Sequence, residues 1–136
     1  MFTLHPQLDA DTFLVGRLDL CQVRLMNNCL FPWVILVPER PDIREIHELN
    51  SSDLTLLYSE ITSISSNLSS LFKADKMNIA ALGNVVSQLH VHVIARYHHD
   101  PAWPKPVWNA VNGQPYGSVE AQERIQLLKS ALEKLR

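Results

Sequence analysis

The chain has 136 residues, a hydrophobic fraction of 46%, a charged fraction of 19% and a net charge of −2. This is enough for one domain with a sizeable core and too little for two ordinary ones, so residues 1–136 are read as a single domain. Twelve basic residues scattered along a slightly acidic chain argue against nucleic acid as the main partner, and no apolar run approaches the ~20 residues of a membrane-spanning helix.

The first residues, "MFTLHPQLDADTF", lack the basic stretch and apolar run of a secretory signal. Cys21 and Cys29 form neither a CxxC pair nor a disulfide framework. Two reduced thiols in a soluble, cytoplasmic protein without a membrane partner are the expectation.

In chain order, "TFLVGRLDLCQVRLMNN" predicts two short strands, at about 12–17 and 20–26, with a tight connection near Leu18–Asp19. Trp33 to Val37 is apolar without alternation, as expected of a central strand covered on both faces, and Pro32 and Pro38 bracket it. After the connection "PDIREIHELN", one of Asn50, Ser51 and Ser52 is placed to cap a long helix ending near Phe72. Its residues Leu54, Leu57, Tyr58, Ile61, Ile64, Leu68, Leu71 and Phe72 recur at three- and four-residue spacing, which makes the helix a lid on a sheet. "KMNIAAL" is the next strand, "GNVVS" a loop and "QLHVHVIARY" the strand that follows. Residues 97–117 carry four prolines and two glycines and are expected to be irregular; a helix over 118–136 closes the chain. The order of elements predicts an α+β fold of about five antiparallel strands packed by two helices.

Chemistry concentrates in "QLHVHVIARY". Side chains alternate across a strand, so Gln88, His90, His92, Ile94 and Arg96 share one face while Leu89, Val91, Val93, Ala95 and Tyr97 share the other. The second set belongs under a helix; the first, polar at four of five positions, is expected to face a cleft or solvent. Three readings compete for it: hydrogen-bonded histidines of purely structural use, a metal site with His98, His99 or Asp100 as third ligand, and a nucleophilic imidazole beside a proton-donating neighbour. His5 and His47 have no motif context and are read as surface or core residues.

The run "NIAALGNVVSQLHVHVI" resembles the histidine triad superfamily, whose signature H-φ-H-φ-H-φ-φ follows an asparagine on the preceding strand and a Gly-Gln loop. Asn78 stands at the asparagine position, Gly83-Asn84 at the loop, and Gln88, His90 and His92 at the three triad positions, with glutamine in place of the first histidine. "FPWVILVPERPDIREIHELNSSDLTLL" is similar to the family's strand, proline and lead-in to the long helix, so the resemblance covers about residues 12–96.

The resemblance implies the histidine triad fold, a homodimer that joins two sheets, and hydrolysis or nucleotidyl transfer at the α-phosphate of a nucleoside phosphate of the dinucleoside polyphosphate or phosphoramidate type. It implies His90 as the nucleophile that becomes nucleotidyl-histidine and His92 as the contact to phosphate or the leaving-group bridge. The backbone carbonyl of Gln88 fixes the tautomer of His90 on this reading, backbone N–H groups at Gly83, Asn84 and Val85 cradle phosphate oxygens, and Asn78 is among the substrate-binding residues. Arg96 is read as a surface ion pair or an added positive charge. No cofactor is required; magnesium arriving with a polyphosphate is compatible with it. A non-catalytic nucleotide-binding module and a metal-dependent enzyme using the HxH pair are the alternatives. In the 97–117 loop, Trp103 is expected to wall the substrate and Trp108 to buttress a dimer, because Trp103 lies nearer the histidine strand.

Overall fold

In the computed structural model, which describes residues 1–135, the five expected strands are β1 (Thr12–Arg17), β2 (Cys21–Met26), β3 (Trp33–Pro38), β4 (Lys76–Ala80) and β5 (Val91–Arg96). They form one antiparallel sheet in the order β1-β2-β3-β5-β4. The helices are α1 (Pro6–Asp11), α2 (Ser51–Phe72) and α3 (Ser118–Glu133), with a 3-10 turn at Ile46–Glu48 between β3 and α2. The fold is thus the expected α+β type; position 136, the end of the predicted last helix, lies outside the described residues.

Helices α2 and α3 cover one face of the sheet. Leu57, Ile61, Ile64 and Leu68 of α2 and Ile125, Leu128 and Leu132 of α3 meet Val23, Leu25, Val34, Leu36, Val91 and Val93 in the main core. Each such side chain contributes about 1.5–3 kcal/mol when fully buried, so this layer holds the fold together. Asn50 is the cap of α2: its Oδ1 accepts from the Asp53 N–H at 2.9 Å, a contact worth about 1 kcal/mol. The helix ends where Lys73 turns left-handed at φ 51°. From the middle of α2, Glu60 accepts from the N–H groups of Leu20 and Cys21 at 2.8 and 2.9 Å and so fixes the start of β2. Burial, with Glu60 adding to it, pushes the Cys21 thiol far up, so Cys21 is an inert core residue.

The opposite face is covered without a long helix. The N-terminal segment lays Phe2, Leu4 and Leu8 over Ile35, Val37 and Val86. The 97–117 segment lays Ala102, Val107 and Trp108 over Phe31, Trp33 and Ile94. All six residues of β3 are therefore buried, as its unbroken apolar run predicts. Helix α1 was not foreseen: six residues show no full apolar period, and its signal is Pro6 at the first turn with His5 Nδ1 accepting from the Gln7 N–H.

Two expectations about the histidine strand are corrected. The ladder begins at Val91 rather than 88, because the Leu89 N–H is taken by the Ile43 carbonyl at 2.9 Å before a neighbouring strand is reached. And the polar stripe is not open to solvent: every residue of β5 is buried, because the 97–117 segment folds back over it.

Candidate functional site

His90 immediately precedes β5 and His92 lies within it, with ring centroids 4.9 Å apart and planes at 71°. Their exposures are 7% and 5%, so each imidazole must find polar partners or carry a desolvation cost. His90 Nδ1 lies 2.7 Å from the Gln88 carbonyl oxygen. A carbonyl only accepts, so Nδ1 bears the proton and Nε2 carries the free lone pair. This is the backbone arrangement that the resemblance implies, and it survives the absence of an imidazole at position 88.

The partner of His92 was not foreseen. Trp33 Nε1 donates to His92 Nδ1 at 3.0 Å. An indole N–H only donates, so His92 Nδ1 holds the lone pair and its proton sits on Nε2. The two rings therefore present opposite tautomers. Burial, and secondarily the neighbouring His90, lowers the His92 pKa to about 4, leaving it neutral near pH 7. The Trp108 ring stands edge-on to His92 at 4.9 Å and to Trp33 at 5.7 Å, closing the cluster.

The glutamine side chain faces the other way. Gln88 Nε2 donates to the Thr3 carbonyl and Oε1 accepts from the His5 N–H, both at 2.8 Å. Position 88 thus supplies a backbone acceptor to the histidine pair and an amide clip to the N-terminal segment.

Arg96 is fully buried rather than on the surface. It makes a two-pronged pair with Asp100 at 2.7 and 3.0 Å and also donates to Asn78 Oδ1 and the Lys105 carbonyl, each at 2.8 Å. Burial alone would raise the Asp100 pKa; Arg96 and the N–H groups of Tyr97, Ala102 and Trp103 outweigh it and bring it to about 2. Arg96 therefore anchors the returning 97–117 segment and orients Asn78, with its guanidinium engaged on three partners. Trp103 packs on that anchor, its ring 5.7 Å from the guanidinium and 4.9 Å from the His98 ring. Trp108, rather than Trp103, is the ring that stands against His92. Nearness in sequence failed as a guide because the segment doubles back.

Gly83 adopts φ +74°, a left-handed turn that favours glycine, and is followed by exposed Asn84 and Val85. A cavity of about 190 Å³ joins this loop to the nucleophile candidate, lined among others by Arg44, His47, Gly83, Gln88 and His90. A wider cleft of about 600 Å³ adjoins it at Arg44 and Gln88 and includes Thr3, His5 and Asp42. Arg44 and His47 were missed, since only the turn after β3 brings them to His90. The metal arrangement loses its proposed third ligand: His98 approaches Asp75 at 3.6 Å, His99 leans on Tyr97, and Asp100 is taken by Arg96. Among the described residues no group of three His, Cys, Asp or Glu side chains is placed to hold a metal ion.

An antiparallel α+β sheet with an HxH pair beside a glycine turn defines a class, and the comparisons agree with it. The family model for the HIT domain matches residues 7–99. The chain belongs to the histidine triad family. It is 47% identical to a histidine triad protein from Marinobacter aquaeolei VT8, covering 100% of this chain and 99% of that one at a TM-score of 0.96. It is 44% identical to a histidine triad (HIT) protein from Sinorhizobium meliloti 1021, covering 96% and 97% at a TM-score of 0.93. The diadenosine triphosphate hydrolase of Plasmodium falciparum, at 17% identity, shares the fold, with a TM-score of 0.64 over 98% of this chain and 84% of that one. No protein of curated function matches the sequence. Among the described residues no helix is long and apolar enough to cross a membrane.

Proposed function

We propose that this protein is a nucleotide hydrolase or nucleotidyl transferase that works through a covalent nucleotidyl-histidine on His90. The observation that supports it most is the 2.7 Å contact of His90 Nδ1 with the Gln88 carbonyl, which leaves the lone pair on Nε2 of a residue that lines the small cavity. Nε2 attacks the α-phosphorus of a nucleoside phosphate, the bond to the leaving group breaks, and the resulting imidazolium keeps its Nδ1–H on the carbonyl. Water or another acceptor then attacks phosphorus, and His90 departs as a neutral imidazole. The loop at Gly83, Asn84 and Val85 is the phosphate-binding element on this reading, Asn78 is a further substrate contact, and His92 offers its Nε2–H to the substrate. Preorganised donors of this kind contribute about 3–4 kcal/mol each where charge develops.

The activity of the Plasmodium hydrolase, carried on the same fold, supports a nucleoside polyphosphate as the first compound to try. No metal or other cofactor is required by the chemistry of His90; magnesium enters, if at all, with the polyphosphate. We place the protein in the cytoplasm as a homodimer joined through the edge strand β4, where Ile79 is 48% exposed. Turnover of a dinucleoside polyphosphate by the purified protein, lost in His90→Ala with nucleotide affinity retained, is the expected result. Saturable nucleotide binding with no product from either protein would identify a binding module instead.

A further inference from the structure

His92 is held by a partner that the sequence did not announce, and the nature of that partner has chemical consequences. Trp33 lies on β3, antiparallel to β5, and its Nε1–H reaches His92 Nδ1 at 3.0 Å in a place where Trp33 is 6% and His92 5% exposed. Indole nitrogen cannot accept a hydrogen bond. As long as this contact stands, His92 Nδ1 cannot be protonated, and its only proton is on Nε2. The surroundings offer no charge to oppose this. β3 faces the ring with Trp33 and the register partner Ile35, the 97–117 segment with Trp108, and the histidine strand with His90; Arg96, further along β5, is neutralised by Asp100.

We propose that Trp33 is a positioning residue that fixes His92 as a neutral hydrogen-bond donor and thereby confines the site to substrates whose leaving group departs as an anion. The inference rests on the nucleotidyl-histidine reading above. A neutral imidazole can stabilise a departing oxygen through its Nε2–H, but giving that proton away would create an imidazolate, which is far too basic near neutral pH. In an anhydride such as a nucleoside polyphosphate, His90 Nε2 bonds to phosphorus, the P–O bond breaks, and the electron pair leaves on a phosphate oxygen that is stable as an anion and needs only the hydrogen bond. In a phosphoramidate the P–N bond breaks, and the nitrogen must gain a proton as it leaves. His92 in this tautomer cannot supply one, and His90 keeps its own proton on the Gln88 carbonyl. The same pair of histidines with a protonated His92 would serve both substrates; Trp33 selects one.

The test compares kcat/KM for a dinucleoside polyphosphate and a phosphoramidate of the same nucleoside at pH 6 and 7, together with the 15N shifts of His92 in 15N-histidine-labelled protein. The expected result is a preference for the anhydride of at least a hundredfold, with His92 showing the Nε2–H tautomer and no protonation down to pH 5. In Trp33→Phe, which keeps an aromatic ring but frees Nδ1, His92 should lose its fixed Nε2–H tautomer and take up a proton at higher pH than in the unaltered protein. The preference should then fall at least tenfold at pH 6. A wild-type preference below threefold, or wild-type His92 titrating near pH 6.5, would overturn the proposal, and neither wild-type measurement depends on the variant folding. If neither compound is turned over, the nucleotidyl-histidine reading itself falls, while the 15N shifts still report whether Trp33 holds the tautomer.

Discussion

The two faces of β5 began as a simple contrast and ended as a different one. Leu89, Val91 and Val93 lie under α2 in the main core, as alternation predicts. The other face, read as polar and facing a cleft or solvent, is as deeply buried: His92 is 5% and Arg96 1% exposed. The first face is sealed by apolar contact with a helix, the second by a segment held through paired polar groups. Trp33 holds His92, the Gln88 carbonyl holds His90, and Asp100, Asn78 and the Lys105 carbonyl hold Arg96. Burial of polar residues with their partners marks a built site, whereas burial of valines marks a core.

The sharpest way to separate the faces is to remove one side chain from each. His90→Ala on the polar face is expected to lower turnover by at least a thousandfold with the denaturation midpoint nearly unchanged, since it removes the imidazole whose tautomer the Gln88 carbonyl fixes. Val93→Ala on the core face should do the opposite, costing about 2 kcal/mol of unfolding free energy through a buried cavity while leaving kcat within twofold. Steady-state kinetics and urea unfolding on the two proteins decide this; equal losses of activity would erase the contrast.

Within the polar face, Arg96→Met is expected to be the most destabilising change. It leaves the buried Asp100 carboxylate without its partner, a loss of about 3–5 kcal/mol, and loosens the segment that carries Trp108. If the unfolding free energy falls by less than 1 kcal/mol, the pair does not anchor that segment. The pH dependence of stability comes next. His92 has a folded pKa of about 4 against an ordinary 6.5, so the folded state binds fewer protons in between. Its contribution is complete above pH 6.5 and is lost as the pH falls toward 4, amounting to about 2 kcal/mol between pH 7 and pH 5. In His92→Phe this part of the pH dependence should vanish from urea titrations at the two pH values.

The smallest effect belongs to the glutamine. Gln88→Ala keeps the carbonyl that orients His90 and loses only the clip on Thr3 and His5, so turnover should stay within fivefold while amide hydrogen exchange of residues 3–5 quickens. Unchanged exchange would show that the clip does not hold the segment.

How much of this was legible follows from the range of the signals. The strands, the Asn50 cap and the lid helix are written in periods and caps a few residues long. The backbone carbonyl at Gln88 came from the resemblance to the histidine triad family, which places that acceptor at the first triad position. Trp33 and Arg44 were not legible, for they meet the histidines only through strand order and a turn. That Trp108 rather than Trp103 stands against His92 has the same origin, since a proline-rich segment without period gives no direction of travel. A tryptophan at the start of an apolar central strand, with one donor to satisfy, was the available hint for Trp33.

The central claim is that His90 Nε2 forms a bond to phosphorus, and mass spectrometry of the protein mixed with a dinucleoside polyphosphate, quenched and digested at alkaline pH where a P–N bond survives, tests it most directly. The account predicts a mass gain of one nucleoside monophosphate on the peptide carrying His90, present in Gln88→Ala and absent in His90→Ala. Turnover by His90→Ala at a rate near that of the unaltered protein, or an adduct on a different residue, would contradict it.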